Sequence, residues 1–282
     1  MNADCSIHTG STHPICQDYA RTGIDKAGNP YAIIADGCSS SPETDIGARL
    51  LVMAAENNLA LLPNSGSGEM SYFYHSTLEL AAYWARGMKL PLNCLDATLG
   101  ILSIADNTIL SSLYGDGLIV FGYDQTLEVD EISFSSNYPV YPSYLLMPER
   151  LKSMPKDNTM NRHSSHFSKN NKKWNDLSRS LMLANEKVPF LKYRDKSSTL
   201  NFVALITDGA KSFLAPSTSS TSKTTEPVGY EQIIPDLVGF KNFTSGFVKR
   251  RVNKFEQESK KNGWQHYDDL TVAAIAFDSE KA

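Results

Sequence analysis

The chain has 282 residues, of which 41% are hydrophobic and 21% charged, a composition typical of folded globular proteins. This composition excludes a fully disordered chain and collagen-like or low-complexity architectures. The net charge of −4 argues against a nucleic-acid-binding surface, which normally carries an excess of basic residues. No apolar run reaches the roughly 20 residues of a membrane span, and the first residues lack the pattern of a secretory signal. We therefore expect a cytoplasmic protein that binds neither nucleic acid nor membrane.

The first part of the chain predicts one buried strand followed by two helices. Residues 31–35 form a short apolar run that ends at an Asp-Gly turn, which is typical of a buried strand. Apolar residues then recur at helical spacing from about residue 44 to residue 62, with Thr44 or Asp45 as the expected N-cap. Residues 72–88 predict a second amphipathic helix.

Strand-like segments dominate from residue 97 onward. Short apolar or alternating runs, separated by Asp, Asn and Gly, predict antiparallel strands. These runs cover residues 97–105, 107–115, 118–124, 127–134, 201–206 and 270–277. One late helix is expected within residues 243–263. Because strands outnumber helices and long helical crossovers are mostly missing, we expect two packed antiparallel sheets with helices outside, not a doubly wound parallel sheet.

Two segments have the composition of surface elements. Residues 138–196 are polar and rich in Asn, Ser and Lys, and we interpret most of this stretch as an irregular flap or insertion. Loops on a rigid scaffold commonly set specificity, so we expect this flap to govern substrate choice rather than chemistry. The Ser- and Thr-rich segment 217–227 predicts a flexible loop. Residues 1–282 as a whole are predicted to form a single domain.

Five aspartates lie at the ends of strand-like runs or directly before them. They are Asp18, Asp36, Asp116, Asp208 and Asp268. If the strands are neighbours, these carboxylates converge and repel one another unless cations or protons compensate. Hard divalent cations with oxygen ligands, Mg²⁺ or Mn²⁺, are the natural partners. A single Asp-Gly pair is more often an ordinary turn, so the hypothesis depends on the joint occurrence of all five.

The segments that carry these aspartates also form an ordered series of motifs. They are CQDYA, ADG, LYGDG, LITDG and DDLTVAAI, and CLDATLGILSI precedes the third of them. This series resembles the metal-dependent protein phosphatases of the 2C class, also called PPM-type phosphatases. The resemblance extends over nearly the whole chain, from about residue 10 to residue 277. Each motif alone is weak, and the specificity comes from five motifs in the right order.

The resemblance implies an α+β fold, a four-layer αββα sandwich of two antiparallel sheets flanked by helices, with a metal centre at one end. Asp36 would bridge two Mn²⁺ or Mg²⁺ ions, and the carbonyl of Gly37 would bind one of them. The other implied ligands are Asp18, Asp208, Asp268 and, for a third ion, Asp116. A metal-bridged water would then attack phosphorus in line, with Asp36 and Asp208 as central catalytic residues. This chemistry fits the absence of the C-x5-R loop of thiol-based phosphatases.

Three of the departures from the family pattern bear on the expected chemistry. His13 stands where typical members have an arginine that grips phosphate, and we predict a phosphate contact for it, made singly and with a pH-dependent charge. The alternative for His13 is an ordinary loop histidine. Cys38 stands where some relatives have a histidine proposed as general acid, so water would protonate the leaving group here. Asp269 occupies the usual Asn position, which makes Asp268 the predicted ligand.

The resemblance implies metal-dependent hydrolysis of phosphoserine and phosphothreonine in proteins, in opposition to a Ser/Thr kinase. A second hypothesis is a catalytically silent module of the same fold that binds and regulates a phosphoprotein or partner. A third is a small-molecule phosphatase with the same centre. The five carboxylates favour an enzyme, because a silent module has no physical need to gather them. The replaced arginine favours the module.

Overall fold

Strands make up most of the computed structural model, which describes residues 1–63, 70–183, 189–217 and 225–277. Numbered along the chain, they are β1 (Asn2–His8), β2 (Tyr19–Ile24), β3 (Pro30–Gly37), β4 (Ala97–Ala105), β5 (Thr108–Tyr114), β6 (Gly117–Tyr123), β7 (Thr126–Phe134), β8 (Thr159–Ser168), β9 (Lys173–Leu183), β10 (Phe190–Asp195), β11 (Leu200–Ile206), β12 (Phe213–Pro216), β13 (Thr225–Pro227), β14 (Gln265–His266) and β15 (Leu270–Ala276). A seven-stranded sheet has the order β1-β15-β11-β6-β7-β8-β9. A five-stranded sheet has the order β10-β5-β4-β3-β2, and β13-β12-β14 form a small third sheet.

Two pairs of helices cover the outer faces of the large sheets. The helices are α1 (Thr44–Asn57), α2 (Met70–Gly87), α3 (Pro148–Lys152), α4 (Tyr230–Leu237) and α5 (Phe247–Lys261). Helix α1 packs on β3 of the five-stranded sheet and against α2, while α5 packs on β1 and β15 of the seven-stranded sheet. The predicted α+β fold, with two antiparallel sheets flanked by helices, is confirmed. No helix in the described ranges combines the length and apolarity needed to cross a membrane.

Alternating side chains along β15 show how the layers meet. Ala273 and Ile275 belong to the core between the two sheets, whereas Val272 and Ala274 belong to the core under α4 and α5. Successive side chains of a strand point to opposite faces, so both faces of β15 are covered. This explains why the strand is a continuous apolar run instead of an alternating one.

The start of α1 differs from the predicted cap. The residue before the helix is Glu43, which has a φ of 55° and makes no side-chain capping hydrogen bond. Thr44 is already helical, and its hydroxyl donates to the carbonyl of Cys38 at 3.2 Å. The prediction of Thr44 or Asp45 as N-cap is therefore wrong. The helix itself ends at Asn57 and is followed by a 3₁₀ turn at Leu59–Leu61.

Regular strands occupy much of the stretch predicted as an irregular flap, residues 138–196. Strands β8 and β9 form a long hairpin that extends the seven-stranded sheet, and β10 pairs with β5 at the edge of the five-stranded sheet. The expected irregular backbone is thus wrong for these three strands. Residues 173–181 of β9 are almost all exposed, so their polar composition reflects solvent on an edge strand and not a missing sheet.

The segment predicted as a flexible loop, residues 217–227, lies only partly within the described ranges. Residues 218–224 are outside them. Residues Thr225–Pro227 form β13 and pair with β12.

Candidate metal centre

Strand pairing brings the ends that carry the five aspartates to one edge of the sandwich. Strand β3 ends at Asp36 and Gly37, beside the start of β4. At the same edge, the last residue of β11, Ile206, pairs with Leu118 near the start of β6 and with Val272 near the start of β15. The residues just after β11 and just before β6 and β15 therefore meet, and these are the predicted positions of the acidic side chains.

Four of the aspartates line one cavity of about 270 Å³ at this edge. They are Asp36, Asp116, Asp208 and Asp268. The other lining residues are Gly37, Cys38, Ser39, Ser40, Thr98, Asn137, Pro139 and Tyr141. In the described part of the chain, no Lys, Arg or His side chain lines this cavity. Lys211 and His13, which are not among these lining residues, offset only part of its negative charge: the pKa values of Asp116 and Asp268 stay raised.

Asp18, the fifth aspartate, is buried behind this cavity and is only 2% exposed. One carboxylate oxygen, Oδ2, accepts a hydrogen bond from the hydroxyl of Thr207 at 2.9 Å. The other, Oδ1, has no hydrogen-bond partner among the described residues. Burial raises the pKa of Asp18 to about 8.

Burial and mutual repulsion also raise the pKa values of the cavity aspartates. The pKa of Asp36 lies well above its ordinary value, first because of burial and then because Asp18, Asp208 and Asp116 are close. Burial, with the charge of Asp208, raises the pKa of Asp116 to about 7. The pKa of Asp268 is raised by the same two causes. These carboxyl groups favour protons when no cation is near.

A tight turn of two glycines holds Asp116 in place between β5 and β6. Gly115 and Gly117 have φ angles of 106° and 136°, which L side chains rarely adopt. A Cβ on Gly117 would also lie 2.8 Å from the carbonyl oxygen of Ile206. The Asp116 side chain is fixed further by Thr98, whose hydroxyl donates to Oδ1 at 3.2 Å.

Asp268 and its neighbour Asp269 have different surroundings. Asp268 lines the cavity, whereas Asp269 is 2% exposed and accepts hydrogen bonds from two backbone amides. Gly10 donates to Oδ1 at 2.8 Å and Gln17 donates to Oδ2 at 2.6 Å. Asp269 thus fastens the loop between β1 and β2, and with it Asp18, to the start of β15. In the sequence, the only sign of this structural role of Asp269 is that it follows another acidic residue, Asp268.

His13 lies beside these two aspartates and is not among the cavity-lining residues. Its Nδ1 atom is 3.0 Å from Oδ2 of Asp269 and 3.6 Å from Oδ1 of Asp268. The geometry does not form a hydrogen bond at Nδ1, so the contact stabilises only as an ion pair with a protonated ring. The side chain is 17% exposed. The predicted phosphate contact of His13 stays a prediction.

Cys38, directly after the end of β3, and Tyr141 also form part of the cavity wall. The Cys38 thiol lies 3.1 Å from the hydroxyl of Ser40. The Tyr141 hydroxyl is within hydrogen-bonding reach of that thiol and close to Asp116 and Asp36, and burial followed by these neighbours raises the pKa of Tyr141. Sequence reasoning did not find Tyr141, because it lies in the polar segment interpreted as a flap.

A buried aspartate that the sequence did not single out, Asp96, connects this wall to β3. Its carboxylate accepts hydrogen bonds from the hydroxyls of Ser41 at 2.6 Å and Ser143 at 2.7 Å and from the guanidinium of Arg150. Its backbone carbonyl accepts from the amide of Cys38 at 2.8 Å. Asp96 is fully buried, and these partners satisfy its charge. It therefore fixes both the loop after Asp36-Gly37 and the segment that carries Tyr141.

The donors around the cavity fit hard divalent cations. The four aspartates that line it supply carboxylate oxygens, the ligands that such cations prefer. A buried oxygen of Asp18 has no partner among the described residues, and the pKa of Asp36 is raised. Both observations indicate carboxyl groups whose negative charge the protein does not compensate. Across the described ranges, no three His, Cys, Asp or Glu side chains already have the spacing of a closed ion shell. The cavity is instead wide enough to hold ions together with waters, as Mg²⁺ sites commonly do.

A sandwich with a carboxylate-lined cavity of this kind is suited to a metal-dependent hydrolase. The family model for protein phosphatase 2C matches residues 8–234, and the chain belongs to this family. It is thus a protein phosphatase of a family that depends on metal ions, generally Mn²⁺ or Mg²⁺. A comparison with curated proteins gave no match.

Solved structures of bacterial phosphatases share the fold. The S. agalactiae serine/threonine phosphatase is 15% identical, with 98% of this chain and 100% of that one covered and a TM-score of 0.55. The Mycobacterium tuberculosis serine/threonine phosphatase PstP/Ppp is 14% identical, with 98% of each chain covered and a TM-score of 0.50. A bacterial serine phosphatase is 11% identical, with 100% of each chain covered and a TM-score of 0.54. At these identities the likeness shows the fold alone.

Proposed function

We propose that the protein hydrolyses phosphoserine and phosphothreonine in proteins, in opposition to a Ser/Thr kinase. The observation that carries this proposal is the convergence of four carboxylates on one cavity that has no cationic side chain among its described lining residues. The proposed ligands of two Mn²⁺ or Mg²⁺ ions are Asp18, Asp36, Gly37, Asp208 and Asp268, with Asp116 serving a third ion. Membership of the family supports this assignment.

Asp36 and Asp208 are the proposed centre of the ligand set. Asp36 is close enough to Asp18, Asp116 and Asp208 for each to raise its pKa, and Asp208 also raises the pKa values of Asp116 and Asp268. When bound, a pair of ions lowers the pKa of a water between them and holds phosphate oxygens for in-line attack. The carboxylates supply the negative charge that keeps such ions in place, and the rigid strand ends fix their positions.

Among the described residues that line the cavity, there is no histidine to act as an acid for the leaving group. Cys38 is the lining residue directly after the Asp36-Gly37 pair, and its thiol faces the hydroxyls of Ser40 and Tyr141. A thiol is a weak hydrogen-bond donor. We therefore assign protonation of the leaving group to water. This leaves binding and charge compensation, not proton transfer, as the task of the protein side chains.

Two other hypotheses share the fold: a silent regulatory module and a small-molecule phosphatase. The carboxylate-lined cavity bears on both. A silent regulatory module would carry the repulsion among Asp36, Asp116 and Asp208 without using it, because gathering unpaired carboxylates costs stability. The cavity therefore favours an enzyme over the module. A small-molecule phosphatase would use the same centre and differ only in the walls.

Manganese-dependent hydrolysis is the experiment that separates these readings. We expect the purified protein to release phosphate from p-nitrophenyl phosphate and from phosphoserine and phosphothreonine peptides when Mn²⁺ is present, and to stop in excess chelator. The matched control is Asp208→Asn, which should bind Mn²⁺ weakly and turn over neither substrate. If the wild type turns over neither substrate with Mn²⁺ or with Mg²⁺, the silent module is the hypothesis that remains. Turnover of the aryl phosphate alone would favour a small-molecule substrate. A cytoplasmic location stays a prediction that fractionation of cells can test.

A further inference from the structure

The cavity lacks the groups that usually hold a phosphate. A bound phosphate monoester brings about two negative charges next to four aspartates, and no Lys, Arg or His side chain among the described residues lines the cavity. Metal ions would compensate part of this charge, but oxygens that face away from the ions still need hydrogen-bond donors. Neutral hydroxyl and amide groups are the donors that the cavity walls offer.

Tyr141 is the aromatic donor among the described lining residues. The hydroxyl of Thr98 already donates to Asp116, whereas that of Tyr141 faces the Cys38 thiol, a weak acceptor that a phosphate oxygen can replace. Tyr141 is 9% exposed, so its ring is buried while its hydroxyl end reaches the cavity near Asp36 and Asp116. A phenol loses little rotational freedom on binding and donates a strong hydrogen bond.

The segment around Tyr141 is fixed on both sides. On one side, the amide of Asn158 donates to the carbonyl of Tyr138 at 2.8 Å. On the other side, the hydroxyl of Ser143 donates to Asp96, whose backbone carbonyl also holds Cys38. The ring of Tyr141 packs edge-on against that of Tyr144, with centroids 5.7 Å apart. The hydroxyl is therefore held in position before any substrate binds.

We infer that the Tyr141 hydroxyl donates a hydrogen bond to a non-bridging phosphate oxygen of the substrate. Tyr141 then does part of the work that a cationic side chain would otherwise do in this cavity. This inference rests on the proposed function for the identity of the substrate. It also gives the stretch predicted as a flap, residues 138–196, a part in the chemistry, in addition to the expected role in substrate choice.

The test is Tyr141→Phe, with Tyr83→Phe as the matched control. The first change removes one hydroxyl and keeps the ring contact with Tyr144, and the second removes the hydroxyl of an exposed tyrosine on α2 that does not line the cavity. With Mn²⁺ present, we expect Tyr141→Phe to lower kcat/KM on p-nitrophenyl phosphate by about 10- to 100-fold, the size expected for a lost hydrogen bond to a charged group. Tyr83→Phe should stay within about twofold of wild type.

A binding measurement keeps this test separate from the proposed function. Calorimetry of the Mn²⁺-loaded protein with inorganic phosphate should show a similar loss of affinity in Tyr141→Phe, with an unchanged Tm. If the wild type binds phosphate but hydrolyses nothing, the proposed function fails and the affinity loss still supports Tyr141 as a phosphate donor. Equal phosphate affinities and equal rates in wild type and Tyr141→Phe would overturn the inference.

A series of aryl phosphates with different leaving groups tests which oxygen Tyr141 contacts. A donor to a non-bridging oxygen should cost the variant the same factor for every leaving group. A loss that grows as the leaving group becomes more basic would instead show proton donation to the leaving oxygen and would overturn the assignment.

Discussion

The sandwich contains two groups of buried carboxylates that differ in their surroundings. The metal-site aspartates lie at the strand ends, with raised pKa values. The second group, Glu128 and Asp130 on β7, faces Lys192 of β10, whose Nζ atom is 2.7 Å from Glu128 and 2.8 Å from Asp130. Arg194 also binds Glu128, at 2.5 Å.

The second group shows what compensation by the protein does. Burial acts to raise the pKa of Glu128, but hydrogen bonds from Arg194 and Lys192 outweigh it and hold the pKa below its ordinary value. Burial is likewise outweighed at Asp130, by Lys192 and Ser164 first, and its pKa is also lowered. The fold therefore can bury carboxylates with their own cations. At the strand ends of the same sandwich, Lys211 and His13 act on Asp116 and Asp268 but do not outweigh burial and repulsion, so the pKa values stay raised. This is the arrangement expected where further cations come from solution.

The largest expected effect comes from removing a carboxylate at the centre of the unpaired group. Asp36→Asn should lower kcat/KM with Mn²⁺ by more than about 100-fold, beyond the 10- to 100-fold that follows loss of a group that merely supports a metal ligand. The metal-free variant should be at least as stable as wild type, because Asn removes a carboxyl group whose ionisation is opposed by burial and by its neighbours. Calorimetry and activity on the same samples check both parts. Full activity in excess chelator would contradict the two-ion mechanism.

The opposite effect is expected at the compensated group. Lys192→Met removes the cation shared by Glu128 and Asp130, while Arg194 and Arg162 stay beside them. It should lower the free energy of unfolding by about 1.5 to 3 kcal/mol, the size expected for lost hydrogen bonds to charged groups. Lys192 does not line the metal cavity, so kcat/KM of the folded variant should stay close to wild type. Denaturant titration measures the change. A stable Lys192→Met, or a destabilised Asp36→Asn, would erase the distinction between the groups.

The two groups should also respond to pH in opposite directions. Asp18 and Asp116 have pKa values of about 8 and about 7 in the folded chain, against about 3.9 unfolded. The folded state then binds more protons, so without metal their contribution to stability is lost as pH rises from about 4 to 8. Glu128 and Asp130 have lowered values, so their contribution is lost as pH falls below about 4.

Thermal unfolding across pH, with chelator and with Mn²⁺, measures this difference. We expect the Tm gain from Mn²⁺ to grow between pH 5 and pH 8, because at low pH protons compete with the ion for the same carboxylates. In Asp36→Asn the fall in the Tm of the metal-free protein with pH should be weaker than in wild type. A metal-free wild type whose Tm rises steadily from pH 5 to pH 8 would contradict the raised pKa values.

The strands that could be predicted from the sequence are those covered on both faces, which are continuous apolar runs, and those followed by an Asp-Gly pair. Strands such as β3 and β15 are continuous apolar runs, and the aspartates at their ends were identified with them. Strand β1 was missed, because at the edge of the sheet its sequence NADCSIH is largely polar. The hairpin of β8 and β9 was missed for the same reason: backbone pairing, not apolar side chains, builds it.

The sequence predicted the part of the site that lies at the ends of strands and missed the rest. Spacing along the chain placed Asp36, Asp116 and Asp208 at strand termini, and the family motifs added their expected roles. Tyr141 and Asp96 come together through a segment with no regular pattern, and their link through Ser143 depends on tertiary packing. A single sequence carries no local signal for such a contact.

The smallest expected effect concerns His13, the residue predicted to replace the phosphate-binding arginine. Its Nδ1 atom faces Asp269 and Asp268 and not the cavity, so its main effect should pass through the position of Asp268. We expect His13→Ala to lower kcat/KM by less than about tenfold, below the loss for a hydrogen bond to a charged group. The apparent Mn²⁺ affinity should fall by a similar factor, because Asp268 is a proposed ligand.

Phosphate affinity separates this role from a direct phosphate contact. If His13 acts only through Asp268, saturating Mn²⁺ should restore the affinity of His13→Ala for inorganic phosphate, whereas Tyr141→Phe should stay weak at any Mn²⁺ concentration. A direct contact predicts the reverse for His13: a loss that metal does not repair, and recovery in His13→Arg, since guanidinium grips two oxygens at once. Recovery of phosphate affinity in His13→Arg would show that residue 13 contacts the phosphate directly. The Nδ1 contact with Asp269 would then be secondary, and the loop between β1 and β2 would have to shift toward the cavity on binding.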